Sequence, residues 1–307
     1  MVGARGAGVP VVLLHGARAS RTMWRAQVVA LEAAGHLALS IDLPGHGIRV
    51  GERFSLEASD EVIGAAVGSV GGRAMVVGLS LGGYLGIAHA ARHPEQVAGL
   101  VAAGCSTAPD QPVTSAWLQV ARVIARLPDH GARLNQTLVD RTVPPEAVAA
   151  LEEGGFALDV MVDLLSQMRT ENTVDALARI ACPVWLVNGQ WDHFRTQERS
   201  FLRACPTARL VTVRGATHLV NLVRPVAFTR VLLEALDEVD AVERGRASAG
   251  APPQGRRAPG QAQPGGVRND QARTPPTMPA EFGTTTTSSP SAARTGGRMQ
   301  RAFPPPR

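Results

Sequence analysis

The chain has 307 residues, 45% of them hydrophobic and only 4% aromatic, enough to bury one large core of small and branched side chains without the staples a small scaffold needs. Its net charge of +5 does not mark a nucleic-acid-binding domain: beyond residue 243 ten arginines face only Asp270 and Glu281, while residues 1–243 carry 21 basic against 24 acidic groups. Three cysteines (Cys105, Cys182, Cys205) without a C-x-x-C pair argue against a disulfide framework or a zinc site, and no run approaches the roughly 20 apolar residues of a membrane span.

No charged segment followed by an apolar stretch and a cleavage site opens the chain, so the expectation is a cytoplasmic protein with no membrane partner. No nucleic-acid partner is expected for the folded core, and the oligomeric state is left open. From residue 10 to about 240, short apolar runs alternate with helix-length segments, the pattern of an α/β fold with a mostly parallel sheet flanked by helices. About six strands are expected, at 9–14, 37–42, 74–79, 97–103, 184–188 and 208–213. Crossover helices are expected at 21–34 and 81–92, stopped by Gly35 and Pro94, and a final amphipathic helix at 225–236.

Residues 108–179 break the alternation with helix-like segments around 117–127, 145–153 and 157–168 and no clear strand, which reads as an inserted helical cap. The α/β core then comprises 1–107 and 180–242. Residues 243–307 are rich in Pro, Gly, Ser, Thr and Arg and almost free of branched aliphatic residues, so a disordered tail is expected there.

Gly78-Leu79-Ser80-Leu81-Gly82 matches G-x-S-x-G, directly after one apolar strand and directly before a helix. In a nucleophile elbow the serine occupies a strained turn with positive φ, and the small residues Gly78 and Gly82 let strand and helix approach closely enough to hold it there. His15-Gly16 follows the first strand, and Asp42-Leu43-Pro44-Gly45-His46-Gly47 follows the second. With a late Asp and His in the right order, these segments make residues 9–238 resemble the α/β-hydrolase superfamily.

That resemblance implies an α/β-hydrolase fold and a triad of Ser80, Asp192 and His218. It also implies an oxyanion hole from the backbone N–H groups of Ala17 and Leu81, the latter at the positive end of a helix. Asp192 follows the strand and Gly turn of 184–192, and His218 follows the last strand. Asp110 remains an alternative acid. Asp42 precedes the serine, out of the family's order, and shares a tight turn with Pro44, Gly45 and Gly47. His15 reads as a residue that holds its loop. His36, His89, His93 and His130 read as surface or packing residues, and His46 and His193 as lesser competitors for the base.

Trp24, Trp117 and Phe156 are candidates for the substrate pocket. No metal and no cofactor are required. The expected activity is hydrolysis of an ester or related acyl bond of a small apolar molecule through an acyl-enzyme, falling at low pH as an imidazole protonates. The same layout serves C–C bond hydrolases, lactonases, thioesterases, aminopeptidases and peroxidase-like enzymes, and the fold also hosts non-enzymatic ligand-binding relatives. In one respect the chain departs from the family: only about eight residues precede the first strand, too few for the usual antiparallel pair. The expectation is therefore a reduced six-stranded sheet with the strand at 37–42 on its edge, or a start downstream of the natural one.

Overall fold

A computed structural model describes residues 8–250. Six strands, β1 (Val11–Leu14), β2 (Ala38–Ile41), β3 (Ala74–Leu79), β4 (Val97–Ala103), β5 (Val184–Gly189) and β6 (Ala208–Val213), form one sheet in the order β2-β1-β3-β4-β5-β6. Every pairing is parallel. The strand ends agree with the sequence reading to within two residues, and β2 is an edge strand, half-buried along its length.

Side chains along a strand alternate between faces, and the core divides accordingly. Val12, Leu14, Val76, Leu100 and Leu186 point to one side, where they pack under α2 (Leu56–Ser69), α3 (Leu81–Arg92), α8 (Thr173–Leu177) and α9 (Glu198–Ala204). Val11, Leu13, Met75, Val77 and Val187 point to the other, under α1 (Arg25–Ala33) and α11 (Pro225–Gly250). Central strands buried on both faces explain why the apolar runs are continuous rather than alternating. Each fully buried side chain of the size of Leu or Phe contributes about 1.5–3 kcal/mol.

The cap lies between β4 and β5 and is built from α4 (Pro112–Ile124), α5 (Ala132–Thr142), α6 (Pro145–Gly154) and α7 (Met161–Met168). Prolines open α4 and α6 at first-turn positions, where a missing N–H is not needed. α8 instead packs on α3 and α9, so the end of the 108–179 interval belongs with the core. Several helices escaped the sequence reading, α2 and α5 the longest of them. α5 is too polar to stand out in Ala132–Thr142, and α2 is announced only by Ser55, whose hydroxyl accepts from the Ala58 N–H at 3.0 Å. α10 (Val220–Val223) is a single turn just after His218.

α11 corrects the expected tail boundary at 243, since the helix runs on to Gly250. An ion pair and a hydrogen bond with distant residues hold it: Arg73 makes two contacts with Glu243, at 3.0 and 3.1 Å, and the Val9 N–H donates to Asp240 Oδ1 at 2.8 Å. The rest of the expected disordered tail, 251–307, lies outside the described residues.

A polar knot ties α2 to the end of α3. The two oxygens of Asp60 receive His89 Nδ1 at 2.7 Å and His93 Nε2 at 3.0 Å, with Arg92 at 3.6 Å, while His89 Nε2 meets Gln96 Oε1 at 3.2 Å. Glu171 engages Arg92 at 2.8 Å and Glu95 lies 3.8 Å from His93. Burial opposes ionisation of Asp60, but the hydrogen bonds from His89 and His93 and the charge of Arg92 outweigh it and hold its carboxyl at about 2, below the ordinary 3.8. A carboxyl depressed by folding stabilises above its unfolded value and loses that contribution as pH falls through the folded one. Urea unfolding should therefore show stability falling between about pH 4 and pH 2, and Asp60→Asn should lose about 1–3 kcal/mol at neutral pH and flatten that acid slope.

Candidate active site

The candidate side chains sit at the carboxyl ends of strands of the sheet. β3 runs straight into α3, and Ser80 is the single residue between them, at φ 53° and ψ −114°. That conformation is strained for a residue with a Cβ. It is held by crowding on both sides: a Cβ on Gly78 would lie 2.1 Å from the Gly82 carbonyl oxygen, and one on Gly82 would lie 2.2 Å from the Leu14 oxygen. The Ser80 N–H donates to the Ala103 oxygen at 2.7 Å and its carbonyl accepts from the Tyr84 N–H at 3.1 Å, pinning the turn to β4 and α3.

The loop after β1 lies against the same turn. The His15 carbonyl accepts from the Gly82 N–H at 3.1 Å, while the His15 ring donates from Nδ1 to the Gly16 carbonyl at 2.8 Å and accepts at Nε2 from the Leu43 N–H at 3.0 Å. Complete burial, followed by the neighbouring His46, pushes the His15 imidazole down to about 3, so it is neutral and structural. Both ring nitrogens are occupied. Next in the chain, Ala17 faces a cavity that Leu81 also lines, and neither N–H is taken by a protein acceptor among the described residues.

Asp192 and His218 are brought together from two loops. The Gln190 N–H donates to the Val213 oxygen (3.0 Å), the Trp191 N–H to the Ala216 oxygen (2.9 Å) and the Gly215 N–H to Gln190 Oε1 (3.0 Å), lacing the loop after β5 to the loop after β6. His218 Nδ1 donates to Asp192 Oδ1 at 3.0 Å, and the same oxygen accepts from the Phe194 N–H at 2.8 Å. Asp192 is buried and the His218 side chain is 19% exposed. Burial opposes the Asp192 charge, but His218 and the Phe194 N–H outweigh it and keep the carboxyl below its ordinary value. A carboxylate can only accept, so the neutral ring carries its proton on Nδ1 and presents Nε2 as the acceptor.

Ser80 and His218 line the same cavity of about 500 Å³, closed above by α4, α5 and α7. No hydrogen bond joins the two side chains among the described residues, a common state for such pairs without substrate. The cap supplies apolar walls, among them Trp117, Val120, Ile124, Met161, Leu165 and Met168. Trp117 thus lines the cavity as expected. Trp24 and Phe156 do not: Trp24 is wholly buried, with its ring centroid 6.0 Å from that of Phe228, and Phe156 packs against the same core cluster under α11. The packing of both against the core under α11 takes them away from the cavity.

The competing residues have other partners. Asp110 is exposed and bonded to Gln111, and Asp42 accepts from the Arg21 N–H, the Arg21 guanidinium and the Ile48 N–H. His36 bonds the Val9 carbonyl and His46 the Pro44 carbonyl. His193 is 4.0 Å from Asp192, and its ring flanks His218 at 5.0 Å, as does that of Phe194. His130, expected at the surface or in packing, lines the cavity and pairs with Asp159. Tyr84, the chain's single tyrosine, also lines it, donating to the Thr107 carbonyl, and burial pushes its phenol well above the ordinary value.

Two clusters among the described residues bring three metal-capable atoms within 4.8 Å, Asp60–His89–His93 and Asp192–His193–His218, and hydrogen bonds already link members of each. The three cysteines are free and buried, and burial pushes the Cys182 thiol up to about 11. No described helix is long and apolar enough to cross a membrane.

A family model described as the alpha/beta hydrolase family matches residues 11–231, which takes in every strand and all the loops above. The chain belongs to the alpha/beta hydrolase family. Within it, this α/β-hydrolase is similar to a pimeloyl-acyl-carrier-protein methyl ester esterase of Neisseria meningitidis, 26% identical over 268 residues that cover 79% of this chain and 81% of that enzyme. A 2-hydroxy-6-oxononadienedioate/2-hydroxy-6-oxononatrienedioate hydrolase of Burkholderia vietnamiensis is 31% identical over 172 residues, 53% of this chain, and the match spans about half (55%) of that enzyme's length. Among solved structures, a thermophilic esterase from Thermogutta terrifontis with malate bound superposes with a TM-score of 0.65 at 25% identity, covering 76% of this chain and 92% of that one. These relatives are esterases and hydrolases, and a hydrolase of this fold fits them.

Proposed function

We propose that the protein is a serine hydrolase that cleaves an ester or related acyl bond through an acyl-enzyme, with Ser80 as nucleophile, His218 as base and Asp192 as its orienting carboxylate. The observation that carries this reading is the strained Ser80 turn opening onto the same cavity as a His218 ring whose Nδ1 is committed to a buried carboxylate. His218 Nε2 takes the Ser80 proton as Oγ bonds to the acyl carbon. The N–H groups of Ala17 and Leu81 hold the oxyanion, each worth about 2.7–4 kcal/mol of barrier. The C–O bond to the leaving group then breaks, and the alcohol departs with the proton from His218. Water, deprotonated by His218, attacks the acyl carbon; the C–Oγ bond breaks, the acid departs and His218 returns the proton to Ser80.

A fluorophosphonate probe tests the assignment. Stoichiometric labelling of the folded protein is expected, lost in Ser80→Ala, and Asp192→Asn should lower kcat by about 10³–10⁴-fold by disturbing the imidazole tautomer. Folded wild-type protein that takes up no probe overturns it. The carboxyl of Asp192 lies below its ordinary range, so the acid limb of a kcat/KM profile should report an imidazole rather than a carboxylate.

A further inference from the structure

One wall of the cavity does not suit a wholly apolar substrate. Arg18, next to Ala17, lines it, and no Asp or Glu is among the residues that do. No carboxylate lies within 4.0 Å of the Arg18 guanidinium among the described residues. Its side-chain hydrogen bond runs from NH1 to Oδ1 of the buried Asn135 on α5, at 3.1 Å. Among the described residues, Arg18 is also one of three non-glycine residues with positive φ, at 63°, the others being Ser80 (53°) and His130 (49°), and all three line this cavity. Backbone strain of this kind persists where the surroundings impose it. Here the Arg18 carbonyl is fixed by the Ala157 N–H at 3.1 Å.

A desolvated guanidinium without a counter-charge is costly, and burial already lowers its proton affinity. No residue of the arginine–acid pairs among the described residues lines the cavity. His130 is paired with Asp159. The wall therefore offers one planar, fork-shaped cation set in apolar surroundings, which matches a single carboxylate on an otherwise apolar body better than a dianionic phosphate.

We propose that Arg18 is a specificity residue that binds a carboxylate carried by the substrate away from the scissile bond, so that the natural substrate is an ester or acyl derivative with an anionic end. This rests on the reading of Ser80 as nucleophile, and two measurements separate the two. The first is turnover of aryl half-esters of dicarboxylic acids, from butanedioic to octanedioic, against the methyl-terminated esters of equal length. Wild type should favour the carboxylated member of at least one pair in kcat/KM. Arg18→Gln should lower that preference by roughly 10–100-fold, the range expected for a charge-assisted hydrogen bond, and Arg18→Lys should restore part of it.

The second is calorimetric titration of Ser80→Ala protein with adipic acid monoamide and with hexanamide, which needs no catalysis. Tighter binding of the acid, lost in the Ser80→Ala, Arg18→Gln double variant, supports the carboxylate site whatever the nucleophile. Equal binding of the two amides, or an Arg18→Gln variant that loses both ester classes in equal proportion, overturns it and leaves Arg18 as a strut between the β1 loop and α5. Carboxylate-selective binding in a protein that takes up no fluorophosphonate overturns the nucleophile instead.

Discussion

Ser80→Ala should lower kcat/KM for any ester the protein hydrolyses by roughly 10⁴–10⁶-fold, and His218→Ala should do nearly the same. The double variant should be no worse than either single one, because a nucleophile without its base and a base without its nucleophile fail at the same step. Steady-state kinetics on the three proteins check this, and a double variant slower than both by a further large factor would separate the residues into independent roles. The turn adds a second signature. Ser80 sits at φ 53° with a Cβ, so Ser80→Gly should unfold at higher urea than wild type, by about 1 kcal/mol, while being as inactive as Ser80→Ala. Gain of stability together with loss of activity is the mark of strain held for function; equal or lower stability of the glycine variant would show that the turn is relaxed.

The elbow glycines should give the largest effect on folding. At Gly78 and Gly82 an added methyl meets main chain at 2.1 and 2.2 Å, and main chain cannot swing away as a flexible side chain can. Gly78→Ala or Gly82→Ala should destabilise by about 4 kcal/mol or more, at the upper end for single substitutions, and largely abolish soluble folded protein. Gly51→Ala is the matched control, because a Cβ there meets nothing within 4 Å and should change stability by less than about 0.5 kcal/mol. Urea unfolding and soluble yield of the three variants decide the point, and a folded, stable Gly82→Ala would mean that β1, β3 and α3 do not pack as closely as described.

The sheet and the positions of Ser80, Asp192 and His218 were readable in the sequence because each lies within a few residues of an apolar strand, and strand ends are local features. What was missed is non-local. Trp24 and Phe156 are large and apolar whether they face a cavity or a core, and only packing against Phe228 and its neighbours decides which. Past residue 243, α11 is tied to the rest of the structure by Arg73, which is 170 residues away from Glu243. α5 carries few apolar residues, so it does not stand out as an apolar segment even though those few fall on one face and it forms part of the cap. Arg18 looked like any loop arginine. Its significance lies in the missing partner, a property of the whole cavity wall that no spacing of residues announces.

The groups proposed for bond breaking hang from the ends of β1, β3, β5 and β6, whereas most of the space above them is shaped by α4, α5 and α7, inserted within one stretch between β4 and β5. The reacting groups and most of the pocket's shape are thus written in separate portions of the chain, while Arg18, proposed to select for charge, stays on the loop after β1. Exchanging residues 112–168 for another insert would retune which molecules fit while leaving the reacting atoms where the sheet puts them, a modularity that lets one scaffold acquire new diets without relearning how to digest.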